Sequence, residues 1–104
     1  MKTVYICSPY KGDIDGNVKR AIVYCKFAFY RGYNPLAPHL YYPQFLDDDD
    51  PAERKSGMEC AIQLLTICSQ LWVMGDVISS GMKAEIDYAE KNNIPIRYFS
   101  DSEI

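Results

Sequence analysis

Nearly continuous apolar runs alternate along the chain with segments in which apolar residues recur every three or four positions. Two of the runs, 3–9 and 70–76, are rich in β-branched and aromatic residues, which is typical of strands buried on both faces of a parallel sheet. Two shorter extended segments, 34–39 and 94–100, are predicted to be the outer strands. The first of these contains two prolines, which favour a position at the edge of a sheet.

Three amphipathic segments predict helices between these strands. The second helix covers residues 50–68, and its start is marked by Asp50 as an N-cap followed by Pro51 at the first helical position. The third helix occupies about 81–92. The first helix covers residues 13–33, and the apolar residues at helical spacing within it are Val18, Ala21, Ile22, Cys25, Ala28 and Phe29.

The alternation of strand and helix predicts an α/β fold with right-handed crossovers. We expect a single domain over residues 1–104, a flavodoxin-like three-layer α/β/α sandwich whose parallel sheet of about four strands has the order 2-1-3-4. Ligands of such sheets bind beyond the carboxyl ends of the strands. The segments that leave those ends are 8–16, 39–49 and 76–81.

The third helix carries a carboxylate on its apolar face. The residues at the core-facing spacing i, i+3, i+4 and i+7 are Met82, Glu85, Ile86 and Ala89. A carboxylate buried without a partner costs several kcal/mol, so Glu85 is expected to face the crevice at the strand ends and to serve a ligand. The alternative is a structural role, in which Glu85 is partly exposed or pairs with Lys83 or Arg97.

Polar residues precede this helix at the end of the third strand. Asp76 either accepts a hydrogen bond from a ligand or caps a turn. Ser79, Ser80 and Gly81 offer hydroxyl groups and free backbone N–H groups that suit a phosphate or a sugar hydroxyl. Plain N-capping by Ser80 would explain one of the two serines without any ligand.

Other candidates lie on the remaining segments at the crevice. Tyr10 and Lys11 follow the first strand into the same region. His39 is the only imidazole and is either an acid or base or a hydrogen-bonded structural residue. Within the acidic run 47–50, Asp50 is interpreted as the N-cap of the second helix and the aspartates at 47–49 as part of a solvated loop. A cation site is therefore not predicted.

Composition and charge narrow the function further. The net charge is −3, with acidic and basic residues interleaved, so no surface for a nucleic acid polymer is expected. No stretch approaches the roughly 20 apolar residues of a membrane span, and we expect a cytoplasmic protein. Dinucleotide and P-loop motifs are absent, and neither a cofactor nor a metal is expected. Reduced, buried thiols are predicted for Cys7, Cys25, Cys60 and Cys68.

Three segments together resemble the nucleoside 2-deoxyribosyltransferase-like superfamily, in particular its small members. They are VYICSPY at 4–10, NVKRAIVYCKFAFYRGYNPLAPH at 17–39 and LWVMGDVISSGMKAEIDYA at 71–89. The last segment is the most specific, because it looks like the turn and helix that carry the catalytic glutamate of that superfamily.

This resemblance implies roles for particular residues. Glu85 would be the nucleophile, Tyr10 would donate a hydrogen bond to that carboxylate or to the sugar, and Asp76 would lie near the nucleobase. A carboxylate suits this chemistry, because N-glycosidic cleavage develops oxocarbenium character that the carboxylate stabilises or traps. The implied substrate-binding residues are Ser8, Lys11, Asn17, His39, Ser79, Ser80 and Gly81.

The expected function is therefore N-glycosidic bond cleavage or (deoxy)ribosyl transfer on a nucleoside or nucleotide. The short sheet and the exposed tyrosines favour a homodimer or a higher homo-oligomer in which a neighbour helps to close the pocket. Two alternatives remain open. One is a catalytically silent nucleotide-binding or sensor module, and the other is a small oligomeric interaction protein in which Glu85 is an ion-pair partner.

Overall fold

The two nearly continuous apolar runs form the centre of a four-stranded parallel sheet in the computed structural model, which describes residues 1–104. The strands are β1 (Thr3–Cys7), β2 (Asn34–Leu36), β3 (Gln70–Met74) and β4 (Ile96–Phe99). The helices are α1 (Ile14–Tyr30), α2 (Pro51–Thr66) and α3 (Ser80–Lys91). The order β2-β1-β3-β4, with every pairing parallel, confirms the predicted order 2-1-3-4.

Successive residues of the central strands point to opposite faces of the sheet, which produces two separate cores. Tyr5 and Cys7 of β1 pack with α2 and α3 on one face. Val4 and Ile6 pack with α1 and with Trp72 of β3 on the other face. The helices therefore cover both faces, as a three-layer sandwich requires.

Residues with side-chain oxygens begin all three helices. The Asp13 carboxylate accepts a hydrogen bond from the Gly16 N–H, and the Asp50 carboxylate accepts from two N–H groups of the first turn of α2. The N-cap of α3 is Ser79, whose hydroxyl accepts from the Met82 N–H at 3.3 Å. Capping by Ser80, which was the alternative to a ligand role for one of the two serines, is wrong, because the extended backbone lies at Ser79 and Ser80 is already helical.

The buried face of α1 differs from the predicted one. Its buried residues are Asn17, Ala21, Tyr24 and Ala28. Ile22 and Phe29 are 54% and 56% exposed. The helix is turned so that Tyr24 packs on the sheet, where its hydroxyl donates a hydrogen bond to Asp101 at 3.0 Å. Tyr24 combines an apolar ring with a polar tip, so the spacing of purely apolar residues does not include it and predicts the wrong face.

The predicted second strand is shorter than the segment 34–39. Only Asn34–Leu36 pairs with β1, and Pro38–Leu40 forms a short 3₁₀ helix that continues toward a second one at Tyr42–Gln44. Pro38 has no N–H to donate to a neighbouring strand, so the chain leaves the sheet there. This turn carries His39 away from the strand.

No helix in the structure is long and apolar enough to cross a membrane.

A glycine at the end of β3 provides a test of this packing. Gly75 has φ +88°, and a Cβ placed there would lie 2.8 Å from the Tyr24 hydroxyl and 3.2 Å from Asp101 Oδ1. We expect Gly75→Ala to lower the free energy of unfolding by about 1–3 kcal/mol, because it adds backbone strain to a steric conflict. Urea denaturation measures the change.

Gly81→Ala is the matched control, because a Cβ at Gly81 would meet no atom within 4 Å and its φ is not positive. This second change should leave stability within about 1 kcal/mol of wild type, in the direction of stabilisation. Equal unfolding free energies for the two variants would contradict the packing described at Gly75.

Candidate functional site

A cavity of about 180 Å³ opens among the segments that follow the carboxyl ends of β1, β2 and β3, beside α2 and α3. This is the crevice that a parallel sheet of this kind offers to a ligand. Its polar wall residues are Tyr10, Lys11, His39, Tyr42, Asp48, Glu53, Arg54, Ser79, Ser80 and Glu85. Its apolar and glycine wall residues are Pro38, Pro43, Leu46, Gly57, Met58, Ala61, Ile62, Gly81, Met82 and Ala84.

Glu85 is the buried acid of this wall, with only 8% of its surface exposed. The buried residues of α3 are the four that the helical spacing predicted, Met82, Glu85, Ile86 and Ala89. The structure thus confirms that the carboxylate points inward, and it places that carboxylate at a cavity and not within a closed core.

Both oxygens of the Glu85 carboxylate have neutral partners on β1. The Tyr5 hydroxyl donates a hydrogen bond to Oε2, and the Cys7 thiol lies 3.5 Å from Oε1. Tyr5 and Cys7 are two residues apart on the same strand, so both face α3. Tyr5 and Cys7 therefore hold the carboxylate in one orientation from the side of the sheet, while Glu85 remains part of the cavity wall.

No cation neutralises Glu85. Lys83 is exposed on α3, and the Arg97 guanidinium lies 5.1 Å from the centre of the Trp72 ring on the other side of the sheet. The structure contains three ion pairs, and none of them includes Glu85. The alternative in which Glu85 pairs with Lys83 or Arg97 is therefore wrong.

The protonation of this group follows from its surroundings. Burial raises the pKa of Glu85 to about 7, although the hydrogen bonds from Tyr5 and Cys7 act in the opposite direction. Burial, and then the nearby Glu85 charge, raise the pKa of Tyr5 well above its usual value, and the same two causes raise the pKa of Cys7. Tyr5 and Cys7 therefore remain donors, while Glu85 changes charge near neutral pH.

Tyr10 and His39 form a second part of the wall. Their rings are stacked with centroids 5.2 Å apart and an angle of 30° between the planes. His39 Nε2 lies 3.0 Å from the Ser8 carbonyl oxygen. Tyr10 makes no hydrogen bond to Glu85, and the tyrosine that donates to that carboxylate is Tyr5. Of the two roles that the resemblance implied for Tyr10, the hydrogen bond to the carboxylate is made by Tyr5, and the hydrogen bond to a sugar stays a prediction.

A bridging carboxylate joins the two cations of the wall. Asp48 Oδ2 lies 3.6 Å from Lys11 Nζ and 3.6 Å from Arg54 Nη1. Its neighbour Asp47 is also held, because its N–H donates to Glu53 Oε1 at 2.7 Å. These contacts attach the acidic loop to α2 and to the segment after β1. No group of three or more His, Cys, Asp or Glu residues is arranged to hold a metal ion.

The start of α3 supplies the remaining polar groups. Ser79, Ser80 and Gly81 all line the cavity, as the sequence predicted for the segment that leaves β3. The Ser79 hydroxyl is engaged as the N-cap. The backbone N–H groups of Ser80 and Gly81 make no hydrogen bond within the chain, so they are available to an acceptor in the cavity.

Asp76 does not line the cavity. Its Oδ1 accepts a hydrogen bond from the Asp101 N–H at 3.1 Å, and its own N–H donates to Asp101 Oδ2 at 3.2 Å. Asp101 also accepts from Tyr24 of α1. This reciprocal pair holds Asp76 on the α1 side of the sheet, away from α2 and α3, so the expected position beside a nucleobase in this cavity is not found.

Ser8 and Asn17 also lie outside the wall, and both support it from behind. Ser8 is 2% exposed, and its carbonyl oxygen bonds the His39 ring. The Asn17 side-chain amide donates to the carbonyl oxygens of Tyr10 at 2.9 Å and Lys11 at 3.1 Å. These two residues therefore position Tyr10, Lys11 and His39 and do not themselves meet the space of the cavity.

The structure adds residues that the sequence reasoning did not single out. The sequence predicts Tyr5 and Cys7 to lie in a buried strand, and Cys7 to be a reduced thiol, but it gives neither residue a role at the site, although their alternate positions place them on one face. On α2, the wall residues are spaced i, i+1, i+4, i+5, i+8 and i+9, which is the signature of one helix face. They are Glu53, Arg54, Gly57, Met58, Ala61 and Ile62.

Solved structures with the same architecture include two 2-deoxyribosyltransferases. One is the 2-deoxyribosyltransferase of the psychrotolerant bacterium Bacillus psychrosaccharolyticus, described as a biocatalyst for nucleoside synthesis, with a TM-score of 0.70 and 15% identity. The other is a 2-deoxyribosyltransferase from Leishmania mexicana, with a TM-score of 0.66 and 16% identity. The similarity covers 94% and 96% of this chain, and 72% and 65% of those chains. At this identity the likeness shows a shared fold.

No curated protein sequence shows significant similarity to this chain. A family model described as a domain of unknown function, DUF7768, matches residues 2–99 and so covers the whole sheet and all three helices. The chain belongs to the DUF7768 family.

Proposed function

We propose that the cavity binds a nucleoside or nucleotide and that Glu85 cleaves its N-glycosidic bond or transfers its (deoxy)ribosyl group. One observation carries the proposal: Glu85 is buried at a cavity, held by two neutral donors and paired with no cation. The shared fold with two 2-deoxyribosyltransferases supports it. Because no cation neutralises this carboxylate, it is free to interact with a positive charge that develops on the ligand.

The reaction needs the ionised form of Glu85. As the bond from the anomeric carbon to the base breaks, the base leaves with the electron pair and takes up a proton from solvent water, and the sugar gains oxocarbenium character. The carboxylate oxygen either stabilises this cation or bonds to the anomeric carbon as an ester. Attack by water or by a second base at that carbon then releases the carboxylate.

The neighbours of Glu85 assist by keeping their own protons. Because the pKa values of Tyr5 and Cys7 are raised, both groups keep their protons. They therefore donate hydrogen bonds to the ionised carboxylate and orient it. The free N–H groups of Ser80 and Gly81 suit a hydroxyl or phosphate oxygen of the sugar. The apolar face of α2 offers a surface for a flat base.

A catalytically silent nucleotide-binding module is the second candidate. It is favoured by the position of Asp76, which lies outside the cavity and leaves no carboxylic acid assigned to protonate the departing base. In such a module the same cavity would bind a ligand, and Glu85 would serve recognition alone. Measurement of base release separates these two candidates.

We further propose a homodimer or higher homo-oligomer. Aromatic and aliphatic side chains remain exposed on α1, including Ile22, Phe29 and Tyr30, and beside the cavity at Tyr41 and Phe45. Burial of such surface favours association. Multi-angle light scattering at tens of micromolar protein should give at least twice the 11.9 kDa chain mass. A monomer mass at that concentration would contradict this proposal.

The role of Glu85 can be tested with Glu85→Gln. The amide keeps the size and the hydrogen-bonding reach of the side chain but removes its charge. Base release from the best nucleoside should fall on the order of a thousandfold, while the thermal shift with that nucleoside survives, because the lost interaction is strongest in the transition state. Chromatographic detection of free base measures the first quantity.

Glu90→Gln is the matched control, since Glu90 is exposed on the opposite face of α3. This variant should release base as fast as wild type. A Glu85→Gln variant that is as active as wild type, or a wild-type protein that releases base from no nucleoside or nucleotide, would end the catalytic proposal.

The raised pKa of Glu85 predicts opposite effects of pH on activity and on stability. Base release should rise as pH increases through about 7, because only the ionised carboxylate acts. Stability should fall between about pH 4.5 and 7, because the folded state holds a proton that the unfolded state has lost.

The difference in unfolding free energy between wild type and Glu85→Gln isolates this effect from the other titrating groups. It should change by up to about 3 kcal/mol across that window. A difference that is constant with pH, or one that changes in the opposite direction, would show that Glu85 does not titrate near neutrality.

A further inference from the structure

The imidazole of His39 is held in one orientation and in one tautomer. Its Nε2 lies 3.0 Å from the Ser8 carbonyl oxygen. A carbonyl oxygen only accepts hydrogen bonds, so Nε2 carries the proton. The Tyr10 ring stacked at 5.2 Å restricts the plane of the imidazole. Asn17 in turn holds the Tyr10 backbone, so the ring is supported on two sides.

The second ring nitrogen is left without a partner. Nδ1 makes no hydrogen bond within the chain, and it is not sealed from solvent as the Ser8 hydroxyl is. His39 belongs to the wall of the cavity, and its Nε2 is directed at Ser8 behind that wall, which leaves Nδ1 as the ring nitrogen available to a ligand. Burial lowers the pKa of His39, which keeps the imidazole neutral at pH 7. Nδ1 is therefore a fixed hydrogen-bond acceptor.

The surroundings of His39 suit a ring more than a sugar. Pro38, Pro43 and Tyr42 lie in the same wall and are largely apolar, and the Tyr10 ring covers one face of the imidazole. The nearby Lys11 ammonium is engaged by Asp48 at 3.6 Å. A carbonyl group of a base would therefore find no unpaired cation beside His39. An N–H group of a base would find an unpaired acceptor there, His39 Nδ1.

Resting on the proposed function, we propose that His39 Nδ1 accepts a hydrogen bond from the exocyclic amino group of the bound base. The substrate class is then the amino-bearing bases, a 6-aminopurine or a 4-aminopyrimidine. Loss of the amino group leaves the lone pair of Nδ1 desolvated and unpaired, and a site of this kind discriminates strongly against the analogue that lacks the donor.

Binding of matched nucleoside pairs tests this assignment. The pairs are 2′-deoxyadenosine with purine 2′-deoxyriboside, and 2′-deoxycytidine with 2-pyrimidinone 2′-deoxyriboside, which differ only by the amino group. With Glu85→Gln protein, in which base release should be about a thousandfold slower, calorimetry should give a Kd about 5- to 100-fold lower for the amino member of the pair that binds. Equal Kd values within both pairs would overturn the proposal.

Two variants at position 39 provide the controls, each made in the Glu85→Gln background. His39→Gln keeps a donor that reaches the Ser8 carbonyl but removes the acceptor at the Nδ1 position, so the ratio of Kd values within a pair should fall to about one. His39→Asn keeps an oxygen near the Nδ1 position and should retain part of the preference. The ratio within a pair is insensitive to a general loss of affinity. An undiminished ratio in His39→Gln would contradict the role of Nδ1.

This experiment separates failure of the inference from failure of the proposed function. Selective binding without base release from wild-type protein would overturn catalysis and leave the role of His39 standing. Base release with equal affinity inside each pair would do the reverse. Absence of binding by all four nucleosides at millimolar concentration would overturn both.

Discussion

The hydrogen bonds from Tyr5 and Cys7 to Glu85 join the centre of the sheet to the helix that follows β3, and the candidate site depends on them. Glu85 is only 8% exposed, and a buried carboxylate costs several kcal/mol unless donors satisfy its oxygens. Two neutral donors reduce this cost without cancelling the charge. Burial therefore still dominates, and the pKa of Glu85 rises to about 7.

A separate polar network lies on the side of the sheet opposite the cavity. Tyr24 of α1, Asp101 after β4 and Asp76 after β3 are connected by hydrogen bonds at 3.0–3.2 Å. This network closes the end of the sheet on the α1 side and requires glycine at position 75, where a side chain would meet Tyr24 and Asp101. The cavity lies on the side covered by α2 and α3.

The features that sequence predicted correctly are those determined by local periodicity. The two apolar runs became the central strands, and the 3.6-residue repeat of α3 located Glu85 on the buried face. The errors arose where long-range contacts decide. Asp76 is adjacent to the cavity segment in sequence, but its bonds to Asp101 draw it to the opposite side. The apolar spacing of α1 does not place Tyr24 or Asn17 on the buried face, because both side chains carry polar groups that are satisfied by hydrogen bonds to distant parts of the chain or to the backbone before the helix.

The most direct test of this account is the titration of the Glu85 carboxyl carbon by ¹³C NMR, with the signal assigned by its loss in Glu85→Gln. Burial against two neutral donors predicts a midpoint near pH 7. A midpoint near 4.5, the value of an ordinary glutamate, would show that water hydrates this carboxylate or that a cation pairs with it. It would contradict the account of an uncompensated negative charge held at the cavity.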